Sequence, residues 1–151
     1  MAVTNKIYNA TLEALTLPTA TMDLNTDSLA VRLMASGFTF DPAHTVWGDV
    51  SANELAAGNG YTAGGIILTG QVLSRTGGVL KLDADDVQWD AAGGDIGPAH
   101  AAVVVDTTDG DKLVNAIEFG GGQTAGDGTP FRITWSADGV LRLATAAALG
   151  I

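Results

Sequence analysis

The sequence predicts an all-β protein: an antiparallel β-sandwich or jelly-roll-like barrel of about eight strands, with one short helical turn and an extended N-terminal arm. Three observations carry this. Apolar and polar residues alternate over short runs, the period of a half-buried strand. Turn signals such as Gly77–Gly78, Asp109–Gly110 and Asp138–Gly139 separate those runs. Gly is abundant, with 20 of 151 residues, while only 16 % are charged, a composition that suits short strands joined by tight turns.

Residues 1–27 read as the arm and residues 28–151 as a single β-sandwich domain. The arm carries Ile7, Tyr8, Leu12, Leu15, Leu17, Met22 and Leu24 with neither helical nor strict strand period. Pro18 disfavours a helical residue before it. Such a segment cannot bury its apolar groups alone, so a neighbouring subunit is the expected cover. Next, Leu29, Val31 and Leu33 share one face of a predicted strand, opposite Ala30, Arg32 and Met34. A loop anchored by Phe38, Phe40 and Trp47 follows.

In "DVSANELAAGNGYTAGG" (Asp49–Gly65), Ser51 and Glu54 fit a capping box at the start of a short helical turn. Gly58 and Gly60 would end it. Strand-like "GIILTGQVLS" and "VLKLDADDVQWD" come next, with Leu80 and Leu82, then Val87 and Trp89, alternating. "AHAAVVVDT" and "NAIEFG" read as strands around Asp109–Gly110. In "FRITWSADGVLRLA", Phe131, Ile133 and Trp135 alternate with polar residues, and Asp138–Gly139 predicts a hairpin returning through Leu141 and Leu143.

Composition excludes several function classes. The net charge is −10, and seven Lys plus Arg do not make the cationic surface that nucleic acid or an anionic membrane requires. Without Cys there are no disulfides, thiolate metal sites or thiol nucleophiles. The start "MAVTNKIYNATLEAL" lacks the apolar core of a signal peptide, so synthesis in the cytoplasm as a soluble protein is expected. No run approaches the roughly 20 apolar residues of a membrane helix.

The candidate chemical groups have bland readings that outweigh the functional ones. Asp83, Asp85 and Asp86, and Asp106, Asp109 and Asp111, could offer oxygen ligands to calcium. Neither group fits an EF-hand loop, since with Gly110 at its sixth position the twelfth is Ala116. Asp is also a preferred turn residue. His44 and His100 lack any ligand spacing, and no serine sits in a G-x-S-x-G elbow. "GNGYTAGG" and "GGGQTAGDG" lack the Lys and Ser/Thr of a phosphate-binding loop, and the second reads as a flexible strand connection. No catalytic, cofactor or metal site is therefore expected. Loop aromatics serve as core plugs or interface anchors. The interface candidates are Ile7, Tyr8, Leu12, Leu15, Leu17, Trp47, Asn59 and Tyr61, with the glycine-rich loop at a contact between subunits.

Four segments in this order, "WGDVSANELAAGNGYTAGG" (Trp47–Gly65), "LTG" (Leu68–Gly70), "DADDVQW" (Asp83–Trp89) and "ITWSADGVLRL" (Ile133–Leu143), resemble small virion structural proteins of tailed bacteriophages. The resemblance spans roughly residues 28–143. It implies a non-enzymatic β-rich protein present in many copies on the particle, foremost a capsid decoration or cement protein. Its implied partners are the major capsid protein and itself, as a homotrimer, with no cofactor, nucleic acid or membrane. The acidic composition suits the outer surface of a virion head better than its DNA-lined interior. A tail or head-fibre component is the alternative within the resemblance. A small-ligand or glycan-binding β-sandwich, with exposed aromatics beside the Asp clusters, is the alternative outside it.

Overall fold

Residues 3–16 and 21–144 are described by the computed structural model, and within them ten antiparallel strands form three sheets. The core of the protein is a hairpin of two long strands, β7 (Ile96–Asp106) and β8 (Lys112–Ala125). Their partners are β2 (Leu29–Met34), the short β3 (Ile66–Ile67) and β1 (Thr4–Ile7), in the order β1-β8-β7-β2-β3. A second sheet has the order β10 (Leu141–Ala144), β5 (Val79–Asp83), β4 (Val72–Thr76). A two-stranded ribbon pairs β6 (Val87–Asp90) with β9 (Pro130–Ile133). The fold is all-β and layered; none of the sheets closes into a barrel.

Both faces of the main sheet are buried, which explains why β7 reads as a nearly continuous apolar run and not as an alternation. Val31, Leu33, Ala102, Val104 and Ile117 face a large core shared with Leu82, Trp89, Phe131 and Leu141 of the smaller sheets. Met34, Ala101, Val103, Val105 and Ala116 face a second core on the opposite side. That side is covered by Tyr8 and by the loop residues Phe38, Phe40 and Trp47. β2 is thus buried on both faces, except at Arg32, whose guanidinium lies 4.3 Å from the Trp47 ring centroid.

The N-terminal segment differs from the expected extended arm. β1 adds an edge strand to β8, from Thr4 opposite Glu118 to Ile7 opposite Asn115, with a Lys6–Glu118 ion pair at 2.7 Å. Helix α1 (Asn9–Thr16) follows and buries Ala10, Thr11 and Ala14. Its docking point is a register shift, where Val104 and Val105 face Asn115 and Leu113 and leave Val114 between them. The Val114 carbonyl accepts the Tyr8 N–H, and the Thr11 hydroxyl lies 2.7 and 2.8 Å from the Val114 and Leu113 carbonyls. Carbonyls freed by the bulge are satisfied in this way. Met22 and Leu24 also reach the large core. Nothing in a periodicity count reveals this, because the segment changes from strand to helix within a few residues. Leu17 lies outside the described residues.

Two further elements depart from expectation. β9 and β10 are not a hairpin: β9 pairs with β6, β10 with β5, and the Asp138–Gly139 turn carries the chain from one sheet to the other. The stretch Gly120–Gly128 is not wholly a loop, since β8 continues to Ala125 and pairs Gln123 with Ala99 and Ala125 with Ile96.

Candidate functional site

The glycine-rich segment is a buttress built from inside the subunit. In place of a capped helix it begins with two 3-10 turns, Trp47–Asp49 and Ser51–Asn53. Asp49 serves as the cap: its carboxylate accepts the N–H groups of Thr45 and Val46 at 2.8 and 3.1 Å, which holds its pKa below the ordinary value. Ser51 makes no side-chain cap. Glu54, the other half of the expected capping box, instead accepts the Tyr61 hydroxyl at 2.9 Å and the Gly64 N–H at 2.7 Å. The Tyr61 oxygen in turn accepts the Leu33 N–H at 3.1 Å. Burial, joined by Glu54, pushes the Tyr61 phenol up. Two of the glycines are fixed by close approach. Gly60 (φ +99°) lies against the Asp90 carbonyl and Gly65 (φ +70°) against the Val31 carbonyl, where a Cβ would overlap the oxygen.

The interface candidates do not form one patch. Tyr8 and Tyr61 are 0 % and 3 % exposed and lie in the two different cores, so both serve the subunit's own packing. Ile7 and Leu15 are half-buried against the large core, and Trp47 is half-buried against the second. Leu12 is 43 % exposed on α1. Asn59 is exposed, adopts φ 55° and donates its amide to the Asp95 carbonyl at 3.0 Å.

From Tyr61 a chain of aromatic rings leads to an open concavity. Tyr61–Trp89, Trp89–Phe131 and Phe131–Phe119 ring centroids are 5.7, 6.2 and 6.2 Å apart. The concavity is a cleft of about 900 Å³ between β8 with its neighbour β1 and the β9 segment running on to Gly139. Phe119, Phe131 and Trp135 give it aromatic surface; Asn5, Arg132 and Asp138 give it polar groups. Among the described residues β1 pairs only with β8, and β9 only with β6, so two strands at the cleft each keep an unpaired edge. Trp135 is held by two bonds, its N–H to Asp86 at 3.1 Å and its indole N–H to the Asp85 carbonyl at 2.9 Å. The alternation through Phe131, Ile133 and Trp135 was legible in the sequence. The cleft was not, because it exists only where β8 and β9 belong to different sheets.

The acidic groups are engaged in local structure. Asp85 accepts the Thr69 hydroxyl, Asp83 lies 3.3 Å from Lys81, and Asp106 accepts the N–H groups of Thr108 and Asp109. His100 rests against Gly122, and His44 is half-buried in the loop before Asp49. Among the described residues, no three His, Asp or Glu side chains are grouped to hold a metal ion. In the cleft, Ser136 and Asp138 belong to one turn, where Ser136 Oγ accepts the Asp138 N–H at 3.2 Å, and no histidine lines it to activate the hydroxyl. No helix among the described residues is long and apolar enough to cross a membrane. The chain matches no family model, no curated protein and no solved structure.

Proposed function

We propose that this chain is a non-enzymatic structural subunit of a tailed-phage virion, a capsid decoration protein bound to the outer surface of the head. One observation carries the assembly part of this reading. The cleft is walled by strands that keep unpaired edges among the described residues and is lined by aromatic rings, a geometry suited to an extended polypeptide segment that adds a strand. The resemblance of the Trp47–Gly65 and Ile133–Leu143 segments to phage virion proteins supports the particle. The charge of −10 supports the outer face of a shell. In this reading the major capsid protein supplies the docked segment and further copies of the chain complete a trimer.

Mass spectrometry of virions purified from the source lysate should find the chain in many copies, and labelled protein should decorate heads in micrographs. Presence in the lysate with absence from purified particles would overturn the proposal, and labelling of tails would move the chain to a tail or fibre. A glycan-binding module is the second reading, favoured by the aromatic Trp135 at the cleft, held there by its bonds to Asp85 and Asp86. It requires glycan binding that is lost in Trp135→Ala.

A further inference from the structure

Of the six asparagines in the chain, only Asn59 is followed by glycine. The structure explains why the pair stands there. The Gly58 N–H donates to the Tyr61 carbonyl at 2.9 Å and the Tyr61 N–H to the Gly58 carbonyl at 3.0 Å, which closes a two-residue turn around Asn59 and Gly60. Both central residues have positive φ, 55° and 99°, the backbone for which Asn–Gly is a preferred pair. The same pair carries a chemical liability. Glycine has no side chain to shield its nitrogen, and a carboxamide on the preceding residue is an electrophile at the spacing of a five-membered ring. Asn59 and Gly60 are exposed, so water and hydroxide reach them.

In the folded chain three contacts restrain the pair. The Asn59 side-chain amide donates to the Asp95 carbonyl at 3.0 Å, its main-chain carbonyl accepts the Ala92 N–H at 3.0 Å, and Gly60 is seated against the Asp90 carbonyl. One turn thus fastens the glycine-rich segment to the connection between β6 and β7. Closing a ring from the Gly60 nitrogen to Asn59 Cγ turns the carboxamide off Asp95 and rotates the Asn59 carbonyl away from Ala92, so both bonds must open first. The connection is also acidic. Asp95 Oδ1 accepts the Asp127 N–H at 3.0 Å, and Asp127 Oδ1 accepts the Gly93 N–H at 2.9 Å. Among the described residues no ion pair reaches Asp90, Asp95 or Asp127.

We propose that Asn59–Gly60 is a deamidation site guarded by the fold, and that its conversion unfastens the glycine-rich turn from the β6–β7 connection. Hydroxide removes the Gly60 amide proton, and the nitrogen attacks Asn59 Cγ. The N–Cγ bond forms, the Cγ–Nδ2 bond breaks, and ammonia leaves with a proton taken from water. Water then opens the succinimide at either carbonyl, giving aspartate or its β-linked isomer. The net change converts one carboxamide and one water into one carboxylate and one ammonium ion. A carboxylate has no N–H to donate, so two oxygens would face each other where the Asn59 amide now meets the Asp95 carbonyl. The β-linked isomer also lengthens the main chain by one atom inside a two-residue turn. Neither product restores the tie. The site is independent of the function proposed above.

Peptide mapping by mass spectrometry tests it, on the full chain aged in mildly alkaline buffer with and without denaturing urea. In urea Asn59 should convert to the acid faster than any other asparagine. In native buffer it should convert at least about tenfold more slowly than in urea, because the turn must open first. Equal rates in the two conditions, or no conversion of Asn59 in urea, would overturn the proposal. Asn59→Asp supplies one product directly and keeps the turn, since Asp–Gly also suits it. Hydrogen exchange at the Ala92 N–H should then be about fivefold faster than in wild type, the effect of one lost hydrogen bond. Should Asn59→Asp not fold, the aged chain, compared before and after conversion, carries the same expectation. Unchanged exchange at Ala92 would overturn the unfastening.

Discussion

Two Asp–Gly turns in this protein share a local conformation and have opposite outcomes. Asp109–Gly110 joins β7 to β8 within one sheet, and Gly110 has φ 63°. Asp138–Gly139 lies between β9 and β10, and Gly139 has φ 69°. Yet those strands belong to different sheets. The difference lies in what surrounds each turn. β7 and β8 run for 11 and 14 residues, so once the chain reverses they find a long partner in each other. β9 has only four residues and is already paired with β6. After Gly139 the Val140 N–H bonds to the Leu82 carbonyl at 2.8 Å, which seats β10 on β5. Space differs as well: apart from its own chain neighbours, nothing lies within 4 Å of where a Cβ on Gly110 would stand, whereas one on Gly139 would overlap the Leu82 carbonyl. An Asp–Gly pair makes the left-handed turn easy, but the partner of the next strand is chosen by free edges and core volume.

That contrast can be broken by substitution. Gly139→Ala carries the largest expected effect, since it adds a backbone overlap to left-handed strain and should cost about 3 kcal/mol, read as a fall in the urea midpoint. Gly110→Ala meets open space and should cost only the conformational penalty, about 1 kcal/mol. Equal losses in the two variants would mean that the packing against Leu82 contributes nothing. Ser136→Ala removes the hydroxyl that accepts the Asp138 N–H at an exposed turn and should cost about 0.5 kcal/mol, with the slope of the unfolding curve unchanged. A loss as large as that of Gly139→Ala would place the corner's stability in its own hydrogen bonds instead of in its seat on β5.

The same division runs through the rest of the molecule. β2, β5, β6 and the β7–β8 hairpin were legible because their apolar residues and turn signals stand close together in the chain. The interface candidates were less so. Tyr8 and Tyr61 carry an apolar ring with one polar atom, which serves a core or a contact surface equally well. Tyr61 became a core residue because Glu54 and the Leu33 N–H satisfy its hydroxyl. The capping box failed for a related reason. Ser51 and Glu54 have the right spacing, but Glu54 finds two donors, the Tyr61 hydroxyl and the Gly64 N–H, in the following loop.

The chain by itself determined that it would be all-β, that its carboxylates would serve turns, and where most reversals fall. Those properties depend on side-chain alternation, Gly and Asp conformational preferences and neighbours a few residues away. The tertiary structure alone decided that residues 4–16 add an edge strand and a helix, that β9 and β10 part company, and that a cleft opens between β8 and β9. These outcomes depend on which strand edges remain open and which carbonyls a bulge leaves unsatisfied, quantities that no local stretch of sequence contains.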